Sequence, residues 1–237
     1  MDKIKVSTKE QFSKNNKNKW ENGKESEIDF WNQWFKTKGL QWRDDYKTRL
    51  SKNKLIQDNL VELINTIQEE IKILDVGSGP ATSLGTFLPN HKNVTLIAVD
   101  PLAKIYQNLY KKYKQYPAIQ TQYGEVEHLS RQFHKNSFDL IHMRNALDHS
   151  YNPILGIQEM LKVLKPNCYI FLQHNINEAE NEHYEGFHQW NFTMIKDDFI
   201  IWNKEEKYNV TEIFKKEADI TCKMSHNWIT VYIKKRK

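Results

Sequence analysis

The chain has 237 residues, of which 39% are hydrophobic, 27% charged and 12% aromatic, and its net charge is +5. This length fits one α/β domain with a sizeable core, and the aromatic content argues against a disordered chain. No apolar run approaches the roughly 18–20 residues of a membrane span, and the polar start lacks the apolar core of a secretory signal. Two cysteines are too few for a disulfide framework. We therefore expect a cytoplasmic protein with reduced thiols and no membrane span.

Both ends of the chain are basic. Residues 1–24 hold seven lysines against three acidic residues, and the chain ends Lys234-Lys235-Arg236-Lys237. We interpret residues 1–25 as a mobile basic arm and both ends as solvated termini. The alternative is that the lysines reach the phosphates of a nucleic acid.

Residues 26–70 are predicted to form a helical cap. Phe30, Trp31, Trp34 and Phe35 fall at i, i+1, i+4 and i+5, which places them on one helix face. Such a face packs on its own domain or lies on a membrane surface, and we favour the first interpretation.

Strands alternate with helices from residue 71 onward. Strands are predicted at 71–76, 94–99, 118–122, 138–143 and 169–172, and helices at 102–116 and 153–164. This alternation is typical of an α/β fold with a doubly wound, mostly parallel sheet. Residues 219–225 and 228–234 are predicted to form an antiparallel strand pair that closes the sheet. We assign 71–237 to one domain, with an aromatic insertion at about 174–215.

A glycine-rich turn follows the first strand. In Asp75-x-Gly77-x-Gly79 the glycines let a ligand approach the backbone, and the helix expected after them presents free amide groups. Asp100 ends the next strand, where a carboxylate accepts hydrogen bonds from a ribose diol. Thr82 stands where a dinucleotide fingerprint has glycine. Because Asp75 precedes the glycines, the pattern favours a ligand with an ammonium group, such as S-adenosylmethionine, over a pyrophosphate.

Five successive segments resemble the ordered motifs of class I, seven-stranded, S-adenosylmethionine-dependent methyltransferases. They are ILDVGSGPATSLG (73–85), LIAVDPLAKIY (96–106), YGEVEHL (123–129), FDLIHMRNALDHS (138–150) and EMLKVLKPNCYIFL (159–172). The five occur in the family's order and spacing over about 70–172. The resemblance implies strand order 3-2-1-4-5-7-6 with an antiparallel seventh strand. Two positions depart from the family pattern, since Ala81 replaces the third glycine and Asn167 replaces the glycine before strand five.

The resemblance also implies cofactor contacts. Asp75 matches the acidic residue near the methionine end, Asp100 the ribose acid, and Glu125 the acidic residue that meets the adenine amino group. The other implied cofactor-binding residues are Gly77, Gly79, Pro101, Leu102, Val126, Met143 and Arg144, and Asn145 is taken as a substrate contact.

His149 is our candidate for a general base. It follows the fourth strand, at the rim of the expected site. An imidazole titrates near neutral pH, which suits removal of a proton from a hydroxyl acceptor. The alternative role is to cap or orient the following helix through hydrogen bonds.

The aromatic insertion begins where strand five ends, again at the functional edge of the sheet. We interpret it as a substrate lid in which His188 and Trp190 contact the acceptor. The alternative is a rigid polar loop with Phe187, Trp190 and Phe192 packed into the core. His174, His183 and His188 fit no standard metal-ligand spacing, so no metal is expected.

Two arginines precede the core. Arg43 and Arg49 can hold an anionic acceptor through paired hydrogen bonds. Surface ion pairing with Asp44 or Asp45 is an equal alternative.

We therefore predict an S-adenosylmethionine-dependent methyltransferase that acts on oxygen or nitrogen of a polar small molecule and releases S-adenosylhomocysteine. A sugar or surface-polysaccharide precursor is the favoured acceptor class. The alternatives are an RNA methyltransferase, although nucleic acid is not the expected partner, and a non-catalytic binding protein that retains the fold.

Overall fold

The computed structural model describes residues 14–64, 70–88 and 93–237, with the side chains from residue 16 onward. The described helices are α1 Lys14–Thr37, α2 Arg43–Leu50, α3 Asp58–Ile64, α4 Ala103–Tyr113, α5 Pro153–Val163, α6 Glu178–Asn181 and α7 Val210–Phe214. The strands are β1 Ile71–Val76, β2 Val94–Asp100, β3 Gln122–Tyr123, β4 Phe138–Arg144, β5 Leu164–Asn175, β6 Asn191–Ile195, β7 Asp198–Trp202, β8 Lys207–Asn209, β9 Ala218–Ser225 and β10 Trp228–Lys235. None of the helices within these ranges is long and apolar enough to cross a membrane.

Seven strands form the central sheet in the order β3-β2-β1-β4-β5-β10-β9. The first five are parallel to one another, whereas β10 pairs antiparallel with both β5 and β9. With β9 and β10 as the sixth and seventh strands of this sheet, the predicted order 3-2-1-4-5-7-6 is confirmed. Parallel strands carry their carboxyl ends to one edge, so the loops after β1, β2 and β4 meet there.

The prediction of a helix after the glycine turn is wrong, because the described residues that directly follow the turn contain none. Residues 77–88 form turns, and residues 89–92 lie outside the described part of the chain. The Thr82 hydroxyl oxygen accepts a hydrogen bond from the Leu84 amide at 3.0 Å. Such local bonds compete with helix formation. The side chains of Lys54 and Gln57 also donate to the Ser83 carbonyl, which ties this segment to the chain before α3.

The turn expected before the fifth strand lies inside the first part of β5 and forms without glycine. Asn167 has φ of 62°, in the left-handed region that asparagine tolerates. The pairing of β4 with β5 shifts register here, from Phe138 opposite Leu164 to Leu140 opposite Tyr169.

Helix α1 is an integral part of the domain. It begins at Lys14, so the second half of the predicted mobile arm 1–25 is helical, while residues 1–13 lie outside the described residues, as do residues 65–69 of the predicted cap. Trp34 and Phe35 are each 2% exposed, and Phe35 stacks on Tyr113 of α4 with ring centroids 5.7 Å apart. The aromatic face thus packs on its own domain.

The insertion forms a second, three-stranded antiparallel sheet, β6-β7-β8. Phe192, Phe199 and Ile201 of this sheet are fully buried in the same core as β4 and β5. The hairpin between β6 and β7 turns at Lys196 and Asp197, both with positive φ. Sequence reasoning missed it because Lys-Asp is not one of the usual Asn-Gly or Asp-Gly turn pairs.

Trp34→Ala is expected to lower the free energy of unfolding by about 3–5 kcal/mol, because it removes a fully buried aromatic side chain from the contact between α1 and the domain. Urea unfolding followed by circular dichroism measures this change. The matched control is Trp42→Ala, which truncates a tryptophan that is 49% exposed and should cost under about 1 kcal/mol. Equal losses in the two variants would contradict the packing described for α1.

Candidate functional site

The glycine turn after β1 is shaped by two left-handed residues. Gly77 and Gly79 have φ of 64° and 63°. A Cβ on Gly77 would lie 2.4 Å from the Ala146 Cβ, and one on Gly79 would lie 2.8 Å from Cζ2 of Trp31. Both positions therefore require glycine, for backbone conformation and for space.

Asp100 connects the end of β2 to this turn. Its Oδ2 accepts a hydrogen bond from the Gly79 amide at 3.1 Å, and its Oδ1 accepts one from the Leu102 amide at 2.9 Å. Burial raises the pKa of Asp100 to about 6, and the two amide hydrogen bonds oppose that rise. The carboxylate is thus held at the edge of the sheet with part of its accepting capacity unused.

A cleft with an enclosed volume of about 50 Å³ opens at this edge. Seven of the ten predicted cofactor-binding residues line it, namely Gly77, Asp100, Pro101, Leu102, Glu125, Val126 and Met143. The predicted base His149 lines it as well. Asp75, Gly79 and Arg144 do not line the cleft. The loops after β1, β2, β3 and β4 therefore converge as the sequence pattern predicted.

Asp75 lies beneath the glycine turn. Its side chain is 2% exposed, and its two oxygens are bound by protein groups, Oδ2 by the Thr82 hydroxyl at 2.5 Å and Oδ1 by His142 Nδ1 at 2.6 Å. Asp75 therefore links β1 to β4 and to the segment after the glycine turn. Its carboxylate does not face the cleft, although it was expected to meet the ammonium group of a cofactor there.

The part of the cleft formed by the loop after β3 contains two carboxylates. Glu125 accepts hydrogen bonds from the hydroxyls of Tyr123 at 2.5 Å and Tyr151 at 3.3 Å. Glu127, which sequence reasoning missed, accepts from the amides of Tyr151 and Asn152. Burial raises the pKa of Glu127 to about 7, and hydrogen bonds from the backbone oppose the rise.

Asp148 is shared by two imidazoles at the rim of the cleft. Its Oδ2 lies 2.8 Å from His188 Nδ1 and 3.4 Å from His149 Nε2. Burial works against the charged carboxylate, but the charges of both histidines and the hydrogen bond to His188 lower the pKa of Asp148 to about 2. Burial likewise works against the imidazolium of His188, yet its hydrogen bond to Asp148 raises its pKa to about 9.

These three residues also form a group whose ligand atoms all lie within 4.8 Å of one another, close enough to hold a metal ion. Of the three histidines 174, 183 and 188, for which no metal was expected, only His188 belongs to this group.

The two insertion residues expected to contact the acceptor have different positions. Trp190 is fully buried, and its indole N–H donates to the Ser150 carbonyl at 2.9 Å, so it braces the loop after β4 from within the core. Phe187 and Phe192 are also buried, as in the alternative interpretation of the insertion. His188 is half-buried beside His149, with ring centroids 4.6 Å apart. It does not itself line the cleft.

The remaining predicted substrate residues lie outside the cleft. Arg49 Nε pairs with Asp45 at 2.7 Å, which is the ion pair named as the alternative, and its Nη1 donates to the Ala81 carbonyl. Arg43 is exposed on α2. Asn145 Oδ1 accepts from the Asn175 amide at 2.9 Å and so joins the ends of β4 and β5.

The guanidinium of Arg144 lies 5.0 Å from the ring centroid of Trp228, on the neighbouring part of the sheet. Burial, with the positive charge of Arg49, lowers the pKa of Arg144. Its packing on an aromatic ring, away from the cleft, explains why the carboxyl end of β4 does not present it to the cofactor site.

The roof of the cleft comes from two elements that sequence reasoning did not assign to the site. Trp20 and Glu27 of α1 line the cleft together with Phe187 of the insertion. Trp20 stacks on Phe187 with an interplanar angle of 6° and a centroid distance of 5.6 Å. Trp20 falls within the stretch interpreted as a mobile arm. Trp20 lies 11 residues before Trp31 and 14 before Trp34, close to three and four whole turns of a helix. This spacing could have indicated that Trp20 shares their helix face.

The cleft suits an adenosine-bearing ligand. The glycine turn leaves no room for a Cβ, a buried carboxylate faces the cleft where a ribose would lie, and no phosphate-binding cation lines it among the described residues. These features lie at the carboxyl edge of a 3-2-1-4-5-7-6 sheet, which is the arrangement of the class I methyltransferase fold.

Comparison with known proteins agrees with this class. Residues 74–172 match a family described as "Methyltransferase domain". The chain is similar to the CurJ carbon methyltransferase, with 14% identity and a TM-score of 0.55 over 75% of this chain and 52% of that one. It is also similar to a chain in the complex between the Haloferax volcanii Trm112 methyltransferase activator and the putative methyltransferase, with 14% identity and a TM-score of 0.54 over 90% and 97%. The chain thus spans about half the length of the CurJ chain. No curated protein sequence matches it.

Residues 74–172 thus match a methyltransferase family, and the described chain has the strand order of the class I methyltransferase fold. The matched family implies S-adenosylmethionine as the methyl donor. The residues that would hold this cofactor are those of the glycine turn and the carboxylates of Asp100 and Glu125.

Affinity for S-adenosylhomocysteine is expected to fall as the pH drops through about 6, because ribose hydroxyls donate to ionised Asp100 and the neutral acid accepts them poorly. Calorimetric titration between pH 5 and 8 measures this dependence. Since Glu127 titrates near 7 in the same cleft, Asp100→Asn separates the two groups. The variant should bind more weakly and lose the inflection near 6. An unchanged inflection in the variant would assign it to another group.

The ion pair between His188 and Asp148 should give the stability of the fold a defined pH window. The pKa of His188 is raised, so its contribution is complete below about 6.5 and is lost as pH rises through about 9. The pKa of Asp148 is lowered, so its contribution is complete above about 4 and is lost as pH falls through about 2. The stability difference between wild type and His188→Gln should therefore be largest at about pH 5–6 and shrink towards pH 9.

Urea unfolding at a series of pH values tests this window. The matched control is His134→Gln, which alters an exposed histidine before β4, at the opposite edge of the sheet. A difference between wild type and His188→Gln that stays constant from pH 5 to 9 would mean that no charged pair forms.

Proposed function

We propose that the protein transfers a methyl group from S-adenosylmethionine to an oxygen or nitrogen of a polar small molecule, with His149 as the general base. The main support for this proposal is that His149 lines the same cleft as Gly77 and Asp100, and that the buried carboxylate of Asp148 lies next to its ring. The cofactor supplies a methyl group already activated on a sulfonium. The protein has to align the acceptor, exclude water and remove a proton.

Each of these tasks has a structural counterpart. Trp20, Phe187 and Met143 give the cleft apolar walls, which restrict water around the transferred group. Asp148 Oδ2 lies 3.4 Å from Nε2 of His149 and orients the ring. The hydrogen bond from His188 to the same carboxylate holds Asp148 in place. His149 is therefore the catalytic residue of this proposal, and Asp148 and His188 are its positioning residues.

A small acceptor is favoured over RNA by the roof of the cleft and by the position of the basic carboxyl end. The stacked Trp20 and Phe187 and the buried Gly23 beside Gly186 join α1 to the insertion over the cleft. Strand β10 runs antiparallel to β5, so Lys234 lies opposite Tyr169, near the start of β5 and at the edge away from the cleft. The carboxyl-terminal lysines are therefore placed away from the cleft, whereas Lys17 and Lys24 of α1 lie beside it. A sugar or surface-polysaccharide precursor remains the acceptor class that we favour.

His149→Gln is expected to reduce methyl transfer at least about a hundredfold, because it removes the proton acceptor while keeping a side chain of similar length. Binding of S-adenosylhomocysteine should change little, since the nucleoside contacts are untouched. Transfer is followed with methyl-tritiated S-adenosylmethionine and a panel of monosaccharides, nucleotide sugars, amino alcohols and total RNA. His134→Gln, at the opposite edge of the sheet, is the matched control and should transfer normally.

The outcomes separate the candidate functions. Label in a small molecule that disappears in His149→Gln supports the proposal. Label in RNA that nuclease releases would favour the RNA methyltransferase instead. Full activity of His149→Gln would remove the histidine from its assigned role. Binding of the cofactor without transfer to any acceptor would favour a non-catalytic binding protein.

A further inference from the structure

Helix α1 presents a carboxylate to the cofactor cleft. Glu27 lines the cleft together with Asp100 and Tyr106, although it is more than seventy residues away from both in sequence. Trp20 lies seven positions earlier on the same helix face and also lines the cleft. No motif in the sequence points to Glu27, because its position depends on how α1 packs across the sheet edge.

The orientation of Glu27 is fixed by its neighbour one turn later. Oε1 of Glu27 accepts a hydrogen bond from the indole N–H of Trp31 at 2.7 Å. The ring of Trp31 in turn lies against Gly79 and meets Tyr106 edge-on at a centroid distance of 6.2 Å. Glu27 is thus anchored through Trp31 to the glycine turn and to α4. Among the described residues, no group donates a hydrogen bond to its Oε2.

The charge of Glu27 acts on the ribose side of the cleft. After burial, Glu27 is a further cause that raises the pKa of Asp100, and its charge also raises the pKa of Tyr106. No lysine or arginine lines the cleft among the described residues, so these negative charges have no cationic side chain there to balance them. Two carboxylates that face one cleft in this way repel each other until a ligand supplies donors or positive charge.

Asp100 already accepts three hydrogen bonds from the protein, so little of its accepting capacity is left for a ligand. Its two oxygens accept the amides of Gly79 and Leu102, and its carboxylate also accepts the hydroxyl of Tyr106. A ribose brings two hydroxyl donors to this position. Glu27 Oε2 adds an accepting oxygen beside Asp100, so that each hydroxyl can meet a separate carboxylate.

We propose that Glu27 is a second ribose-binding carboxylate, carried by α1, that accepts one hydroxyl of the cofactor's ribose while Asp100 accepts the other. The inference rests on the cleft being the cofactor site of the proposed function. It gives α1 a part in recognising the cofactor as well as in covering the cleft. Cofactor binding then strengthens the packing of α1 on the domain, because one of its side chains bonds directly to the ligand.

Calorimetric titration with S-adenosylhomocysteine tests this role without any methyl acceptor. Glu27→Gln should weaken binding about tenfold, which is the usual effect of losing a hydrogen bond to a charged acceptor. The matched control is Glu25→Gln, which makes the same change at an exposed position of the same helix and should alter affinity less than twofold. Thermal unfolding without ligand checks that both variants are folded.

Two further measurements distinguish ribose binding from a structural role of Glu27. With S-adenosylhomocysteine analogues that lack the 2′ or the 3′ hydroxyl, the loss in Glu27→Gln should disappear for one analogue and persist for the other. The pH at which affinity for S-adenosylhomocysteine falls on acidification should also be lower in Glu27→Gln, because one cause of the raised pKa of Asp100 is gone. A structural defect would change neither pattern.

These binding experiments distinguish failure of the role of Glu27 from failure of the proposed function. If wild type binds S-adenosylhomocysteine and Glu27→Gln binds it equally well, the role of Glu27 is wrong and the methyltransferase assignment stands. An equal loss with both deoxy analogues would also overturn ribose binding by Glu27. If folded wild type binds neither S-adenosylhomocysteine nor S-adenosylmethionine, the proposed function fails and this inference fails with it.

Discussion

The parallel pairing of β1, β2, β4 and β5 is the constraint on which the functional part of the molecule depends. Parallel strands end at one edge, and that edge therefore receives the glycine turn, Asp100 and the segment from Asn145 to Ser150 from separate parts of the sequence. The carboxylate of Asp100 then binds the turn after β1 to the end of β2 through the Gly79 and Leu102 amides. Close packing of this turn on Ala146 and Trp31 then requires glycine at positions 77 and 79.

Two elements outside the parallel sheet complete the site. Helix α1 covers the cleft from the side of β2 and α4, and the insertion covers it from the side of β5, so that Trp20 and Phe187 meet in a stacked pair. The insertion is held in place by its own buried sheet and by Trp190, which bonds to the Ser150 carbonyl next to His149. Support of this kind fixes the position of a catalytic side chain more tightly than a free loop would.

The polar groups of the site fall into two sets with different electrostatics. Inside the cleft, Glu27, Asp100 and Glu127 are carboxylates without cationic partners, and burial raises the pKa of the latter two. Beside His149, Asp148 is a carboxylate between two histidines, and its pKa is lowered. The first set favours a ligand that donates hydrogen bonds and carries positive charge, and the second keeps an imidazole oriented. This division matches the two tasks that the proposed function requires, binding a cofactor and activating an acceptor.

Sequence patterns predict the alternating strands, the glycine turn, Asp100 and the edge position of His149, because periodicity and turn residues act over short distances. The strand order came from the resemblance to the methyltransferase family. Sequence patterns do not predict that Thr82 and His142 bind Asp75, that Trp190 is buried, or that Arg49 pairs with Asp45. Those contacts depend on which of several equally suitable partners packing brings within hydrogen-bond distance. The roles of Trp20 and Glu27 belong to the same class, since a helix distant in sequence reaches the cleft only once its aromatic face has docked on α4. Local sequence therefore decides the framework and the general location of the site, whereas tertiary packing decides which side chains line it.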